Sequence, residues 1–166
     1  MEFPGDFERE TADAPFERGL PWKGGALAGC VATVVMGLAL TAVDASIVSE
    51  SIAGLYGASG NLRVGWVAHL VHGTLFGVVF AVVLSAPGLY RVGEWLPKSV
   101  LAGVVYGLVL AVAGAGIVTP MWLEAVGVAG PSSLPHVTVT LLVWHAVYGG
   151  VLGALFPVFE GWVAGQ

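Results

Sequence analysis

Charged side chains are scarce in this sequence. Asp, Glu, Lys and Arg make up 10% of its 166 residues, whereas an ordinary soluble domain carries roughly 25%. Hydrophobic residues account for 57% and fall into long runs separated by glycine, proline and the few charges. A soluble core in so short a chain could not bury this much apolar surface. The composition therefore excludes an ordinary water-soluble domain and predicts one compact membrane domain.

Cysteine and basic residues are also few. The one cysteine, Cys30, excludes an intrachain disulfide and is expected to pack as a small side chain inside a membrane span. Six Lys and Arg against eleven Asp and Glu give a net charge of −5. No basic patch is present, which excludes nucleic acid as a partner. Residues 1–21 hold six of the eleven acids and are predicted to form an acidic, poorly ordered cytoplasmic tail.

Recognisable catalytic apparatus is missing as well. Outside the apolar runs no segment is large enough for a nucleotide-binding domain, and neither an activated nucleophile nor a cofactor-binding loop is visible. We therefore predict no enzyme activity. The N-terminus is polar and acidic rather than basic and then apolar, so we expect no cleavable signal and a first span that acts as its own insertion signal.

Four apolar runs are each long enough to cross a bilayer as one helix, which needs about 20 residues. They cover approximately residues 24–43, 65–84, 99–118 and 137–156. Shorter apolar segments at 45–57 and 121–130 cannot cross on their own. They are predicted to be interfacial helices on the outer side, and a re-entrant helix is the alternative for 45–57. Pro120 is expected to break or kink the third helix. The predicted fold is an all-α membrane protein with four transmembrane helices within residues 22–160, followed by a short tail at 161–166.

The second and fourth runs share the pattern H-x3-G-x3-G-x2-F. Residues three or four apart stack on one side of a helix, so the pattern defines a helix face. The two faces are His69, Gly73, Gly77 and Phe80, and His145, Gly149, Gly153 and Phe156. Leu27-Ala28-Gly29 likewise matches Leu101-Ala102-Gly103. We predict two parallel two-helix repeats, at about 24–84 and 99–157, related by an axis along the membrane normal.

Each predicted span carries a pair of glycines four residues apart. The pairs are Gly25/Gly29, Gly73/Gly77, Gly103/Gly107 and Gly149/Gly153. Without side chains, two helix backbones approach closely and gain dispersion contacts. The pairs therefore predict a tight four-helix bundle or an oligomer, and the alternative is a slot for a flat ligand such as a haem or a polyene.

The distribution of Lys and Arg predicts the orientation in the membrane. With four spans, both termini and the middle loop share one side. That side holds Arg9, Arg18, Lys23, Arg91 and Lys98, and the other side holds Arg63. Because cytoplasmic loops carry the excess of Lys and Arg, both termini are predicted to be cytoplasmic in a multi-pass protein of the plasma membrane.

The histidines within the spans are the main candidate site residues, because ionisable residues inside a membrane are rare and usually functional. His69 and His145 are predicted to meet at equal depth, with His72 one turn deeper. The first two could hold the iron of a b-type haem, with Gly73 and Gly149 making room for the porphyrin. The alternatives are neutral imidazoles that hydrogen-bond a neighbouring helix, or a path for protons or a solute.

Two further residues extend this candidate site, and the fourth histidine falls outside it. Asp44, at the outer end of the first span, could complete a transition-metal site with the histidines, or it could cap a helix or face water. Trp144 lies beside His145 and is expected to pack against a ligand or to fill volume. His136 falls in a loop and is expected to be solvated or interfacial.

Several motifs resemble a family of small four-span membrane proteins of halophilic archaea that often carry the label "histidine kinase". They are Leu55-Tyr56-Gly57, Gly65-Trp66-Val67-Ala68-His69-Leu70-Val71-His72-Gly73, Pro120-Met121-Trp122-Leu123-Glu124-Ala125-Val126-Gly127 and His145-Ala146-Val147-Tyr148-Gly149. The resemblance covers about residues 24–157 and implies the same four-span fold, without an established activity. Kinase activity is not expected, because histidines inside a span are poorly placed to receive a phosphoryl group from a soluble domain.

These features predict a non-enzymatic integral membrane protein that acts as a scaffold, an accessory subunit or a ligand-binding module. Its expected partners are the lipid bilayer and either further copies of itself or a larger membrane complex. Two alternatives remain at this point, a bis-histidine b-type haem protein that transfers electrons and a small channel or transporter.

Overall fold

The computed structural model describes residues 21–131 and 133–165. Within these residues the chain forms five helices. They are α1 (Trp22–Ile52), α2 (Leu62–Leu84), α3 (Tyr90–Glu94), α4 (Leu96–Ala125) and α5 (Val139–Ala164). All except α3 are long and apolar enough to cross a membrane. The predicted all-α fold with four possible membrane spans is thus confirmed. The predicted acidic tail lies, except for its last residue, outside the described residues.

Local sequence signals explain where several helices begin and end. The Asn61 side chain accepts hydrogen bonds from the backbone N–H groups of Arg63 and Val64, which caps the start of α2. Thr138 caps α5 in the same way, at 3.1 Å from the Leu141 nitrogen. Beyond α1 and beyond α4 the chain turns at Gly57 and Gly127, both with a positive φ that suits glycine.

Helix α1 bends at Asp44, where the first span was predicted to end. The backbone there leaves the helical region, with φ −156° and ψ 94°. Both the N–H and the hydroxyl of Ser46 donate to Asp44 Oδ1, at 3.0 and 2.6 Å. This carboxylate therefore caps a new helical segment, whose turns at Ile47–Ile52 are π-helical.

Helices α4 and α5 run further than the sequence predicts. In α4, an α-helical part (Leu96–Val109) is followed by a π-helical part (Leu110–Val118), and the helix then continues through Pro120 to Ala125. Pro120 was predicted to break or kink this helix; the helix is not broken there, and the kink stays a prediction. A π-helical stretch already departs from the regular hydrogen-bond ladder, which lessens the cost of the N–H that proline lacks. Helix α5 likewise continues through Pro157 to Ala164, beyond its predicted end at 156.

The glycine pairs lie where the backbones of α1 and α2, and those of α4 and α5, approach each other closely. A methyl group at Gly29 would meet the carbonyl oxygen of Gly73, so α1 and α2 pack backbone against backbone. A methyl group at Gly149 would meet the carbonyl oxygen of Gly103, which shows the same close approach of α4 and α5. Such contacts stabilise helix pairs in membranes through dispersion.

Helices α1 and α2 form one antiparallel hairpin and α4 and α5 a second, and the two hairpins pack together through α1 and α5. Aromatic rings of α2, α4 and α5 meet between them. Phe80 is 1% exposed, and its ring centroid lies 5.6 Å from that of Phe156 and 5.4 Å from that of Tyr106. Two tyrosines bridge the hairpins with hydrogen bonds. Tyr148 donates to the Gly73 carbonyl at 2.7 Å, and Tyr106 donates to the Phe76 carbonyl at 2.9 Å.

Candidate functional site

A cavity of about 590 Å³ lies between the four long helices. The connections from α1 to α2 and from α4 to α5 contribute to its wall, so it occupies the end of the bundle away from the start of α1. Its aromatic and imidazole lining consists of Tyr56, His69, His72, Phe76, Trp122, His136, Trp144, His145 and Tyr148. The rest of the lining is apolar or hydroxyl-bearing, and among the described residues no Asp, Glu, Lys or Arg contributes to it.

His69 is the most deeply placed of the four histidines in this wall. Its side chain is 9% exposed and packs edge-on against the Trp66 ring, with 6.2 Å between centroids. On the α1 side the ring abuts Gly37, where a side chain would collide with it. Its Nε2 atom is buried and has no hydrogen-bond partner within the described residues. An unpaired buried polar atom is costly, which marks this ring as unusual.

His145 is held by its own helix. Its Nδ1 atom lies 2.9 Å from the carbonyl oxygen of Leu141, one turn earlier in α5. Because a carbonyl oxygen can only accept, Nδ1 carries the hydrogen. In the neutral ring Nε2 therefore carries the lone pair, and it is not among the buried atoms that lack a partner. The result is an accessible acceptor atom on a residue that lines the cavity.

His72 belongs to a row of aromatic rings on one side of the cavity. Its Nε2 atom lies 2.6 Å from the hydroxyl oxygen of Tyr56, which sits just beyond α1. The His72 ring centroid is 5.8 Å from that of Tyr56 and 6.4 Å from that of Phe76. These separations are typical of aromatic contacts, so the three rings form a continuous surface.

The structure brings together five of the seven residues that the sequence singles out. His69, His72, Gly73, Trp144 and His145 all line the cavity. The other two lie elsewhere. Asp44 is exposed at the bend of α1, where it bonds Ser46, and Gly149 packs against α4. Within the described residues, no three His, Cys, Asp or Glu lie close enough to hold a metal ion.

Sequence reasoning missed several lining residues. Tyr148 follows His145 by three positions and so shares its helix face, a signal that the spacing rule could have supplied. His136 was expected to be solvated or interfacial, yet it lines the cavity, and its backbone N–H donates to the Gly116 carbonyl at 2.8 Å. Tyr56 reaches His72 across a turn. No periodic pattern encodes either of these two placements.

The arrangement suits the binding of an uncharged molecule rather than an ion. Its walls offer apolar surface, aromatic rings and a few hydrogen-bonding atoms, and no described charged side chain is available to balance a charge. No protein-family model, curated protein or solved structure matches this chain.

Proposed function

We propose that this chain is a non-enzymatic integral membrane protein that binds a small, neutral, largely apolar molecule between its four long helices. The observation that carries the proposal is the cavity of about 590 Å³ lined by all four histidines. Ligand sites commonly measure roughly 300–1,000 Å³ and combine apolar walls with a few polar groups. This cavity agrees with both criteria.

The polar groups in the wall support the proposal. Imidazoles inside a membrane are costly unless they have partners, and they therefore tend to mark functional sites. Three imidazoles from the long helices, those of His69, His72 and His145, converge here with His136 from the connection before α5 and with Tyr56 and Tyr148. A purely structural role would predict that each ring is fully hydrogen-bonded within the protein. His69 departs from that expectation, because its buried Nε2 has no partner among the described residues.

The charges suggest which side of the membrane the cavity faces. Lys23 begins α1, and Arg91 and Lys98 lie near the connection from α2 to α4. The opposite end, which carries the cavity, has Arg63. Under the rule that cytoplasmic segments hold the excess of Lys and Arg, both termini are cytoplasmic and the cavity lies in the outer half of the membrane.

We also infer that the two hairpins are copies of one ancestral unit. Gly29 meets Gly73 between α1 and α2, and Gly103 meets Gly149 between α4 and α5. Matching backbone hydrogen bonds follow α1 and α4. The Ala58 N–H donates to the Ala53 carbonyl at 3.1 Å, and the Val128 N–H donates to the Leu123 carbonyl at 2.9 Å. On this proposal the last turns of both helices are the interfacial segments of each copy.

Native mass spectrometry of the protein purified from its own membranes tests the ligand proposal. We expect a bound small molecule on the wild-type chain. A methyl group at Gly114 would meet nothing within 4 Å, and Gly114 lines the cavity. Leucine there should fill the cavity without disturbing the fold, so Gly114→Leu should abolish the bound mass.

Gly161→Leu is the matched control. Gly161 also has open space around it but lies on the exposed surface of α5, outside the cavity. This variant should retain the bound mass. A wild-type protein that carries no small molecule, or a Gly114→Leu variant that keeps it, would refute the proposal.

A bis-histidine haem is the second candidate, because His145 offers a free Nε2 in the same cavity as His69. Axial histidines usually donate their other ring nitrogen to a carbonyl, as His145 does. The Nε2 atom of His69 is buried, so the His69 ring would have to rotate before this atom could bind a haem iron. A Soret band lost in both His69→Ala and His145→Ala would establish haem, and a colourless protein after haem-replete expression would exclude it.

A further inference from the structure

We propose that the molecule bound in the cavity carries a hydroxyl group on a flat ring, as a lipid-soluble quinol or phenol does, and that His145 Nε2 accepts the hydrogen bond of this hydroxyl. This inference rests on the proposed ligand-binding function and specifies the chemical class of the ligand. It follows from three features of the cavity wall, namely the lone pair that His145 leaves available, a row of aromatic rings and the lack of charge among the described lining residues.

The first feature is that three hydrogen-bond donors of the lining residues are already used within the protein. His145 Nδ1–H donates to Leu141, the Tyr148 hydroxyl donates to Gly73 at 2.7 Å, and Trp122 Nε1–H donates to Leu55 at 2.9 Å. Each of these three lining groups has given its hydrogen to a backbone carbonyl. What the protein leaves available at His145 is a lone pair, which requires a donor on the ligand.

The second feature is a wall of aromatic rings. The rings of Tyr56, His72 and Phe76 follow one another at 5.8 and 6.4 Å, and their planes are tilted by 32° and 45°. Gly114, from the π-helical part of α4, also borders the cavity and leaves open space where a side chain would stand. A planar ring can lie against such a surface in an offset or edge-on arrangement, which favours rings over branched aliphatic alcohols.

The third feature is the absence of charge among the described lining residues. A carboxylate or phosphate ligand would be taken out of water without a described counter-charge, at a large energetic cost. A phenolic or quinolic hydroxyl is uncharged and donates one hydrogen bond. Its apolar tail matches the remaining walls and the surrounding lipid, so the molecule can reach the cavity from the bilayer.

The full-length protein in lipid nanodiscs, kept anaerobic, provides the test. The probes are decylubiquinol, its oxidised form decylubiquinone, and the dimethyl ether of the quinol, which has the same ring and tail but no O–H group. We expect decylubiquinol to bind about tenfold or more tightly than either of the other two, because only decylubiquinol donates to His145.

Variants of His145 separate this contact from general apolar binding. His145→Phe keeps a ring but removes the acceptor, so decylubiquinol should lose about tenfold in affinity while decylubiquinone stays unchanged. His145→Gln has a side-chain carbonyl that can accept, and it should recover part of the loss. Gly114→Leu should weaken all three probes, and Gly161→Leu should weaken none.

Several results would overturn the inference. Equal affinities for the quinol and its dimethyl ether would do so, as would a His145→Phe variant that still prefers the quinol. If none of the three probes binds while the purified protein carries a different molecule that Gly114→Leu expels, the quinol assignment is wrong but the ligand-binding function stands. A purified protein without any bound molecule contradicts the ligand-binding function itself.

Discussion

At the scale of single residues, glycines determine where the helix backbones approach each other. Gly149 and Gly150 are neighbours in α5 with opposite surroundings. A methyl group on Gly149 would collide with the Gly103 carbonyl, whereas one on Gly150 would lie 3.6 Å from a Val104 methyl, at ordinary van der Waals distance. The same chemical change therefore has different consequences at adjacent positions.

We predict that Gly149→Ala lowers the free energy of unfolding by about 1–3 kcal/mol, as overpacking does. Gly150→Ala is the matched control and should leave stability nearly unchanged or slightly raised, because alanine favours helix more than glycine does. Unfolding in mixed micelles, followed by circular dichroism, measures both. Equal stabilities for the two variants would mean that α4 and α5 do not approach each other here.

Tyr148 supplies the second prediction at this scale. Its hydroxyl is buried and donates to the Gly73 carbonyl at 2.7 Å, which ties α5 to α2 across the bundle. Tyr148→Phe should lower the free energy of unfolding by about 0.6–2 kcal/mol, the range for such bonds in membranes. The same micelle assay measures the loss, and an unchanged stability would indicate that the two helices are not joined at this point.

The residues also show what the sequence can and cannot predict. The spacing from His69 to Phe80 and from His145 to Phe156 defines helix faces, and the structure brings both histidines to one cavity. His136 and Tyr56 reach the same cavity from connections, whose paths depend on packing rather than on periodicity. Asp44 was grouped with the histidines because of its position near the end of a span, but its carboxylate bonds Ser46 on the surface.

At the scale of elements, the irregular parts of α1 and α4 shape the cavity. Both helices change from α-helical to π-helical turns, at Ile47–Ile52 and at Leu110–Val118, and both of these stretches contribute lining residues. Departures from α-helical geometry are frequent at functional sites. The long apolar runs predicted the helices, but not the π-helical turns. They also did not show that Pro120 falls in the first turn of the α-helical part that follows, where proline is tolerated.

The bend of α1 leads to a prediction about Asp44. Asp44→Ala removes the acceptor for both Ser46 groups, so the segment after the bend should fray, with faster hydrogen exchange at residues 46–52. Asp44→Asn keeps an acceptor oxygen and is the control, with exchange close to that of the wild type. Exchange measured by mass spectrometry that is the same in all three proteins would show that the cap does not stabilise this segment.

At the scale of the whole molecule, the distribution of Lys and Arg predicts an orientation in the membrane. Cysteine variants at Ser59, beyond α1, and at Glu94, in α3, would lie at opposite ends of the bundle, and both positions are exposed. With Cys30 replaced by alanine, a membrane-impermeant maleimide added to intact cells should label position 59 and leave position 94 unlabelled. The reverse pattern would place both termini outside, and equal labelling would contradict the four-span topology.

The central claim is that the cavity around His145 is a ligand site, and an experimental structure tests it most directly. The protein should be purified from its own membranes into lipid nanodiscs and its density inspected between α2, α4 and α5. The account predicts a discrete non-protein molecule within hydrogen-bonding distance of His145 Nε2, lying along the Tyr56–His72–Phe76 wall. A cavity collapsed by closer helices, or filled only by water or by lipid chains that do not contact His145, would contradict it.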